Sequence, residues 1–104
     1  MKETEIQKQV CEYLANKNHF FWRNNNTPIY DIRKKVFRAM PKYTMRGIAD
    51  ILVITDGGFV VFLEIKTTKG RLSADQRAFR SKCEEVGAEY YIINNKDQLK
   101  DLGL

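Results

Sequence analysis

The stretch ADILVITDGGFVVFLEIK, residues 49–66, holds two apolar runs separated by Asp56-Gly57-Gly58. Runs rich in β-branched and aromatic residues on either side of a glycine-containing turn are typical of a β-hairpin. The second run is apolar until its last three residues, as expected for a strand that is covered on both faces. We therefore predict that residues 49–55 and 59–66 form a buried antiparallel hairpin.

The length of the turn decides which residues of this hairpin lie opposite each other. A three-residue loop over residues 56–58 places Asp50 opposite Glu64 on one face of the sheet. A two-residue loop would shift the register by one residue and send the two acids to opposite faces. Gly58 favours the three-residue form, because its third position requires a left-handed backbone. We therefore expect Asp50 and Glu64 to meet at the open end of the hairpin.

Two carboxylates that lie opposite each other on one face of a hairpin repel each other unless a cation lies between them. Lys66 shares a face with Glu64, because residues two apart on a strand point the same way, and a structural ion-pair cluster is one interpretation. The other is a Mg²⁺ or Mn²⁺ ion held by Asp50, Glu64 and the carbonyl of Ile65. Such an ion would supply hydroxide and stabilise phosphoryl charge, with Lys66 holding the attacking water or the developing charge. The residues by themselves leave both interpretations open.

The remaining elements follow from periodicity and from stop signals. Apolar residues recur at helical spacing over residues 3–17, and a capping sequence at Ser73 begins a helix that Gly87 ends. The full prediction is a helix over 3–17, a strand over 19–23, a loop over 24–28, the hairpin, a helix over 73–86, a strand over 89–93 and a helix over 96–102 capped by Asn95 or Asn94. The segment between the loop and the hairpin is expected to be extended and irregular, with Pro41 and Gly47 as breakers.

The chain carries a net charge of +5, and the positive residues are unevenly distributed. Six of them follow Asp31 within residues 31–46, with aromatic residues between them, which suits the phosphate backbone of a nucleic acid and an unstacked base. A solvated face explains the same segment equally well. The candidate nucleic-acid-binding residues are Arg23, Arg33, Lys34, Lys35, Arg38, Lys42, Arg46, Lys69 and Arg71.

Composition and length exclude several classes of protein. At 104 residues the chain is expected to form one domain, and no apolar run approaches the roughly 20 residues that a membrane helix needs. The charged N-terminus lacks the apolar stretch of a signal peptide, so we expect a cytoplasmic protein that is not secreted. Cys11, Cys83 and His19 are too few for a Cys/His zinc site or a disulfide framework.

Three motifs together resemble a known family. Arg46-Gly47-Ile48-Ala49-Asp50, Glu64-x-Lys66 and Gly70-Arg71-Leu72-Ser73-x-x-Gln76 look like the VRR-NUC domains of the PD-(D/E)XK nuclease superfamily, of the stand-alone phage and bacterial type. The resemblance covers most of the chain, including Glu5-Ile6-Gln7, Trp22-Arg23-Asn24 and Gly87–Tyr90. Ala49 stands where the superfamily often has a proline.

This resemblance implies a fold and an activity. The fold is α/β, a restriction-endonuclease-like α-β-β-β-α-β core whose mixed central sheet is flanked by helices, forming a single nuclease domain over residues 1–104. The activity is Mg²⁺- or Mn²⁺-dependent hydrolysis of DNA phosphodiesters by an endonuclease. Stand-alone members are similar to Holliday-junction resolvases, which implies a homodimer that cuts branched or four-way DNA in recombination or DNA repair, in a bacterial or phage-infected cell.

The resemblance also assigns roles to residues. Asp50 and Glu64 become metal ligands, Lys66 the catalytic lysine and Gln76 an active-site glutamine. Gln76 has a purely structural alternative, because it stands at the third position of a capping box that begins at Ser73.

An acid on the first helix often completes such a site, and Glu5 is the choice made here. Gln7 and Glu3 are rivals, because the helical angle places them nearer the apolar stripe. The dimer interface has two candidates, the aromatic strand Phe20–Trp22 and the segment 29–40. The main alternative function is a non-catalytic basic module that binds nucleic acid, and a small partner-binding protein is a further one.

Overall fold

The computed structural model describes residues 1–24, 30–37 and 42–104. Within these ranges the chain forms three helices and six strands. The helices are α1 (Glu3–Asn16), α2 (Ala74–Val86) and α3 (Gln98–Asp101), and the strands are β1 (Phe20–Arg23), β2 (Tyr30–Asp31), β3 (Val36–Phe37), β4 (Ile51–Thr55), β5 (Phe59–Ile65) and β6 (Glu89–Ile93).

Four of the strands build one mixed sheet in the order β1-β4-β5-β6. The β1–β4 and β4–β5 pairs are antiparallel, whereas β6 runs parallel to β5 after the crossover through α2. Helices lie on both faces of this sheet, so each face can bury apolar side chains. The architecture confirms the predicted α/β fold with a mixed central sheet flanked by helices.

The hairpin has the predicted three-residue register. Thr55 pairs with Phe59 and Ile51 pairs with Leu63, so the positions that follow at the open end belong to Asp50 and Glu64. The amide of Gly58 donates to the carbonyl of Thr55 at 3.0 Å, and Gly58 has the expected positive φ of 82°. Gly57 is also left-handed, with φ 88°, so the turn uses both glycines rather than one.

The two sheet faces carry separate apolar clusters. On one face, the α1 side chains of Ile6, Val10 and Leu14 pack against alternate residues of β4, β5 and β6. On the other face, Phe79 and Cys83 of α2 pack with Ala49 and Tyr90. Asp50 and Glu64 belong to the α2 face, because Glu64 alternates with the α1-facing Leu63 and Ile65.

The last helix is shorter than the predicted 96–102. Side-chain hydrogen bonds occupy the preceding turn, since Gln98 Oε1 accepts from the amides of Asn94 and Asn95 at 2.8 and 3.1 Å. Asn95 Oδ1 also accepts from the amide of Asp97 at 2.8 Å. The N-cap is therefore Asp97 rather than either asparagine. A local side-chain turn of this kind competes with helix for the same backbone groups.

The basic segment contains regular structure that its sequence did not predict. Strands β2 and β3 pair as a small antiparallel hairpin. Its turn is organised by Asp31, whose Oδ1 accepts from the amides of Arg33 and Lys34 at 2.9 and 3.2 Å. Lys35 closes the turn with a φ of 54°. Among the described residues, no helix is long and apolar enough to cross a membrane.

Candidate active site

Asp50 is fixed by hydrogen bonds from two neighbouring strands. The amide of Asn24, directly after β1, donates to the Asp50 carbonyl at 2.8 Å, and Asn24 Nδ2 donates to the Ala49 carbonyl at 2.9 Å. The carboxylate itself accepts from the amide of Ile65 at its Oδ2 atom, at 2.7 Å. Asp50 therefore bridges the ends of β4 and β5 in a defined orientation.

Glu64 is the one charged or polar residue in the buried class within the described part of the chain, at 2% exposure. Its Oε2 accepts a hydrogen bond from Gln76 Nε2 at 3.3 Å and lies 4.0 Å from Lys66 Nζ. Its Oε1 is buried without a hydrogen-bond partner among the described residues. A buried carboxylate oxygen without a partner carries a desolvation cost, so this atom marks a place where a ligand would be stabilised.

The electrostatic environment of Glu64 is unfavourable to its charge. Burial raises the pKa of Glu64 to about 8, with the charge and hydrogen-bonding capacity of Asp50 adding to the effect. Lys66 acts in the opposite direction but is outweighed, and Glu3 contributes a further increase. The two acids therefore share a face at short range, and no cation in the described part of the chain is sufficient to neutralise them.

The donor set suits a hard divalent cation. Mg²⁺ is usually bound through one or two carboxylates and keeps several waters. Because the Ile65 amide points towards Asp50, the carbonyl of the same extended residue points to that side of the strand as well. No group of three or more His, Cys, Asp or Glu side chains gathers within residues 1–24, 30–37 and 42–104. The pair Asp50 and Glu64 with the Ile65 carbonyl therefore fits a water-rich Mg²⁺ or Mn²⁺ site better than an all-protein cage.

Gln76 serves the cap and the site at once. Its Oε1 accepts from the amide of Ser73 at 2.8 Å, and its own amide donates to Ser73 Oγ at 3.2 Å, which completes the capping box. The other end of the same side chain, Nε2, reaches Glu64. The two interpretations of Gln76 raised by the sequence are therefore compatible.

Two glycines permit the close packing around the site. Gly47 has a φ of 71°, and a Cβ there would overlap the backbone carbonyl of Asp75 and lie 2.7 Å from the amide nitrogen of Gln76. Gly70 lies against Lys66, where a Cβ would approach the lysine Cδ to 3.2 Å. Gly47 therefore lets the first turn of α2, and Gln76 with it, approach the start of β4.

The sequence leaves Glu5, Gln7 and Glu3 as candidates on the first helix, and the choice of Glu5 stays a prediction. The charge of Glu3 makes a small contribution that raises the pKa of Glu64. Glu3 and Glu5 are both exposed in the first turn of α1. Gln7 lines a groove with Cys11 and Arg23, beside β1.

The candidate nucleic-acid-binding residues do not form a single cluster. Arg23 lies with α1, on the sheet face opposite Asp50 and Glu64. Lys69 lines a polar cleft of about 610 Å³ between α1 and the residues after β5 and β6. Arg33, Lys34 and Lys35 are exposed in the β2–β3 turn, Lys42, Arg46 and Arg71 are exposed elsewhere, and Arg38 lies outside the described residues.

Sequence reasoning missed two side chains near the site. Asn24 was noted only as part of a motif, although it holds the backbone on both sides of the Ala49–Asp50 bond. The Tyr90 hydroxyl is buried without a partner among the described residues. Burial raises the pKa of Tyr90 and the charge of Glu64 raises it further, which places the hydroxyl within electrostatic reach of the carboxylates. Strand alternation could have found Tyr90, since Tyr90 pairs with Phe62 two residues before Glu64.

The fold has a counterpart among solved structures. A structure described as a VRR_NUC domain superposes with a TM-score of 0.66 at 18% sequence identity, covering 96% of this chain and 91% of that chain. No family model matches the sequence, and a comparison with curated proteins found no relative. The chain therefore has the fold of a VRR_NUC domain, which confirms the fold that the resemblance implied.

Proposed function

We propose that residues 1–104 form a divalent-metal-dependent endonuclease that hydrolyses DNA phosphodiester bonds. The observation that carries the proposal is the Oε1 of buried Glu64, which has no hydrogen-bond partner among the described residues and lies on the same sheet face as Asp50. The fold is that of a VRR_NUC domain, which is a nuclease-type fold. The proposed site consists of Asp50, Glu64, the Ile65 carbonyl, Lys66 and Gln76.

The electrostatics favour a metal site over a structural ion-pair cluster. In such a cluster Lys66 would compensate the two acids, and the pKa of Glu64 would lie near or below its ordinary value. Instead the Lys66 Nζ stands 4.0 Å from Glu64 Oε2, and the pKa of Glu64 is raised to about 8. A divalent cation would supply the missing positive charge, and its binding would release the Glu64 proton.

Each residue has a chemical task in this proposal. A bound Mg²⁺ or Mn²⁺ ion supplies Lewis acidity towards the phosphate and lowers the pKa of a water ligand. Asp50, oriented by the Ile65 amide, and Glu64 provide the carboxylate ligands. Lys66 places its ammonium beside Glu64, where it can hold the attacking water or stabilise charge on the phosphoryl oxygens. Gln76 keeps the Glu64 carboxylate in one orientation by donating to Oε2.

The proposal extends to the kind of DNA that is cut and to the oligomeric state of the protein. Branched DNA, such as a four-way junction, is the substrate that the resemblance to resolvase-type members supports. Symmetric cleavage of a junction requires two sites, and hence a homodimer. The exposed cations of the β2–β3 turn would contact the phosphate backbone. If about six phosphates are neutralised, the logarithm of the affinity should fall with the logarithm of salt concentration at a slope near −5.

The test is a cleavage assay on an end-labelled four-way junction and a linear duplex of matched sequence, with Mg²⁺, Mn²⁺ or EDTA. Metal-dependent nicks that disappear in Asp50→Asn and Lys66→Ala would support the nuclease. Asp56→Asn, in the exposed turn at the far end of the hairpin, is the matched control and should cut like the parent protein. Tight DNA binding with no cutting under any metal would overturn the enzymatic proposal and leave a binding module.

A further inference from the structure

Two exposed aromatic rings stand together on the edge strand of the sheet. Phe20 is 64% exposed and Trp22 is 40% exposed, although both are large apolar side chains. Their ring centroids are 5.6 Å apart with an interplanar angle of 55°. They form a small aromatic shelf on β1.

The shelf lies on the same face as the carboxylate pair. Phe21 packs towards the α1 cluster, so the alternating Phe20 and Trp22 point to the α2 face. Trp22 pairs with Leu52 in the ladder, which makes Asp50, the residue directly before β4, its diagonal neighbour. Diagonal neighbours on one face of an antiparallel pair are about 7–8 Å apart. The indole is therefore adjacent to the proposed scissile site.

The indole is also held in a defined orientation. Trp22 Nε1 donates to Asn24 Oδ1 at 3.1 Å, and Asn24 is itself anchored through its Nδ2 to the Ala49 carbonyl. The same asparagine thus positions the start of β4 and the tryptophan. Within the described residues, the apolar side chains of α2 pack on the Phe62 and Tyr90 side of this face, leaving the β1 edge exposed.

We propose that Phe20 and Trp22 form a stacking platform for an unpaired nucleobase of the DNA that the site cuts. This inference rests on the proposed function and specifies its substrate. A base inside an intact duplex has both faces covered, whereas a base in a single strand or at a branch can stack on an aromatic ring. The net charge of +5 favours a polyanion as the occupant. The substrate therefore carries unpaired nucleotides next to the cleaved phosphate.

Trp22 is the sole tryptophan in the sequence, so its fluorescence reports directly on the platform. The experiment titrates the protein, in EDTA to prevent cleavage, with a short oligodeoxythymidine and with a blunt duplex of equal nucleotide content. We expect the single strand to quench Trp22 strongly and the duplex to bind with much less quenching. Equal quenching by both, or none by the single strand, would overturn the inference.

Variants separate stacking from general apolar contact. Phe20→Leu and Trp22→Leu keep an apolar side chain but remove the ring, and each should weaken single-strand binding by about fivefold or more, measured by anisotropy of a labelled strand. Binding of the blunt duplex should stay unchanged. Phe59→Leu is the matched control, because Phe59 is 65% exposed and alternates with the α1-facing Val61 and Leu63, on the opposite face of the sheet. Parental single-strand affinity in both β1 variants would overturn the proposal.

Sedimentation of the same variants tests a rival occupant of the shelf, a second copy of the chain. Loss of a dimer with unchanged DNA affinity would assign the shelf to that second copy.

Two further outcomes separate this inference from the proposed function. Cleavage without a Trp22 response would refute the platform and leave the nuclease intact. Single-strand quenching without cleavage under any metal would refute the nuclease and support the platform.

Discussion

The side chain of Gln76 connects the N-terminus of α2 to the carboxylate of Glu64. Its Oε1 closes the capping box with the amide of Ser73, while its Nε2 donates to Glu64 Oε2 at 3.3 Å. A single side chain thus couples the start of a helix to a buried acid on the sheet. Different atoms of one side chain therefore serve helix capping and site geometry at this position.

Gln76→Glu should separate these two roles. Glutamate can still close the capping box, but it replaces the donor to Glu64 with a negative charge. We expect nuclease activity to fall about 10- to 100-fold, the usual cost of losing a partner of a metal ligand. At pH 5, where Glu64 is protonated, the free energy of unfolding should change by less than about 1 kcal/mol.

Gln76→Ala is the comparison for this prediction, since it removes the cap and the donor together. It should lower the free energy of unfolding by about 1 kcal/mol as well as the activity. Urea unfolding and cleavage rates would be measured on both variants. Parental activity in Gln76→Glu would show that the contact with Glu64 does not contribute to cleavage.

Gly47→Ala should destabilise the protein more than an ordinary glycine replacement in a turn. The new Cβ meets both a positive φ of 71° and the backbone of Asp75. Gly58→Ala is the matched control, because Gly58 has a φ of 82° with no atom within 4 Å of its Cβ position. The control should lose about 1–2 kcal/mol from the left-handed conformation alone.

For Gly47→Ala we expect a loss at least about 1 kcal/mol greater than that of the control, because the α2 backbone must shift. Activity should fall as well, since the shift moves Gln76 away from Glu64. Denaturant unfolding of the two variants measures the difference. Equal losses of unfolding free energy at both positions would mean that the contact between Gly47 and α2 does not contribute to stability.

The stability of the metal-free protein should fall as the pH rises from about 4.5 to about 8. The pKa of Glu64 is raised from 4.5 to about 8, so in this window the folded protein retains a proton that the unfolded chain releases. Folding is then penalised increasingly until the pH passes the folded-state pKa, above which the penalty stays constant. Thermal unfolding in EDTA across this range measures the effect.

Glu64→Gln should flatten this pH dependence and raise the stability of the metal-free protein at pH 8 relative to the parent. Glu85→Gln is the control, because Glu85 is exposed on α2 and should leave the slope unchanged. A slope that persists in Glu64→Gln would assign the pH dependence to another group.

Glu3→Gln should affect the site more than Glu5→Gln. Glu3 raises the pKa of Glu64, and the two glutamates lie in the same exposed first turn of α1. Removing the Glu3 charge should lower the pKa of Glu64, which would move the upper end of the stability change in EDTA to lower pH.

If Glu3 also assists the ion or its waters, Glu3→Gln should reduce cleavage about tenfold, whereas Glu5→Gln should retain the parental rate. Metal-dependent cleavage rates of the two variants at one pH provide the comparison. A larger loss in Glu5→Gln would support Glu5, the first-helix acid predicted from the sequence.

The structure could be predicted from the sequence wherever it depends on interactions between residues close together in the chain. The hairpin register depends on the turn length and on a glycine that tolerates a left-handed backbone, and both are visible in residues 55–59. The capping box at Ser73 and the C-terminal Gly87 are likewise local signals, and α2 begins and ends where they predict. The position of Asp50 opposite Glu64 could be predicted because the hairpin is a local structure.

Other features depended on contacts between distant parts of the chain. Helical periodicity left Glu5, Gln7 and Glu3 as alternatives, because the orientation of α1 relative to Glu64 is set by packing against the sheet. The β2–β3 hairpin was missed, since two-residue strands carry almost no periodic signal.

The proximity of Trp22 to Asp50, and of Gly47 to Asp75, was decided only by the tertiary structure. Each pair joins elements that meet through strand order or helix docking rather than through sequence spacing. Turn chemistry and periodicity act over a few residues, so they determine the register of the hairpin and the pairing of Asp50 with Glu64. The surroundings of those acids were fixed by the packing of β1, α1 and α2, which depends on the shapes of whole elements.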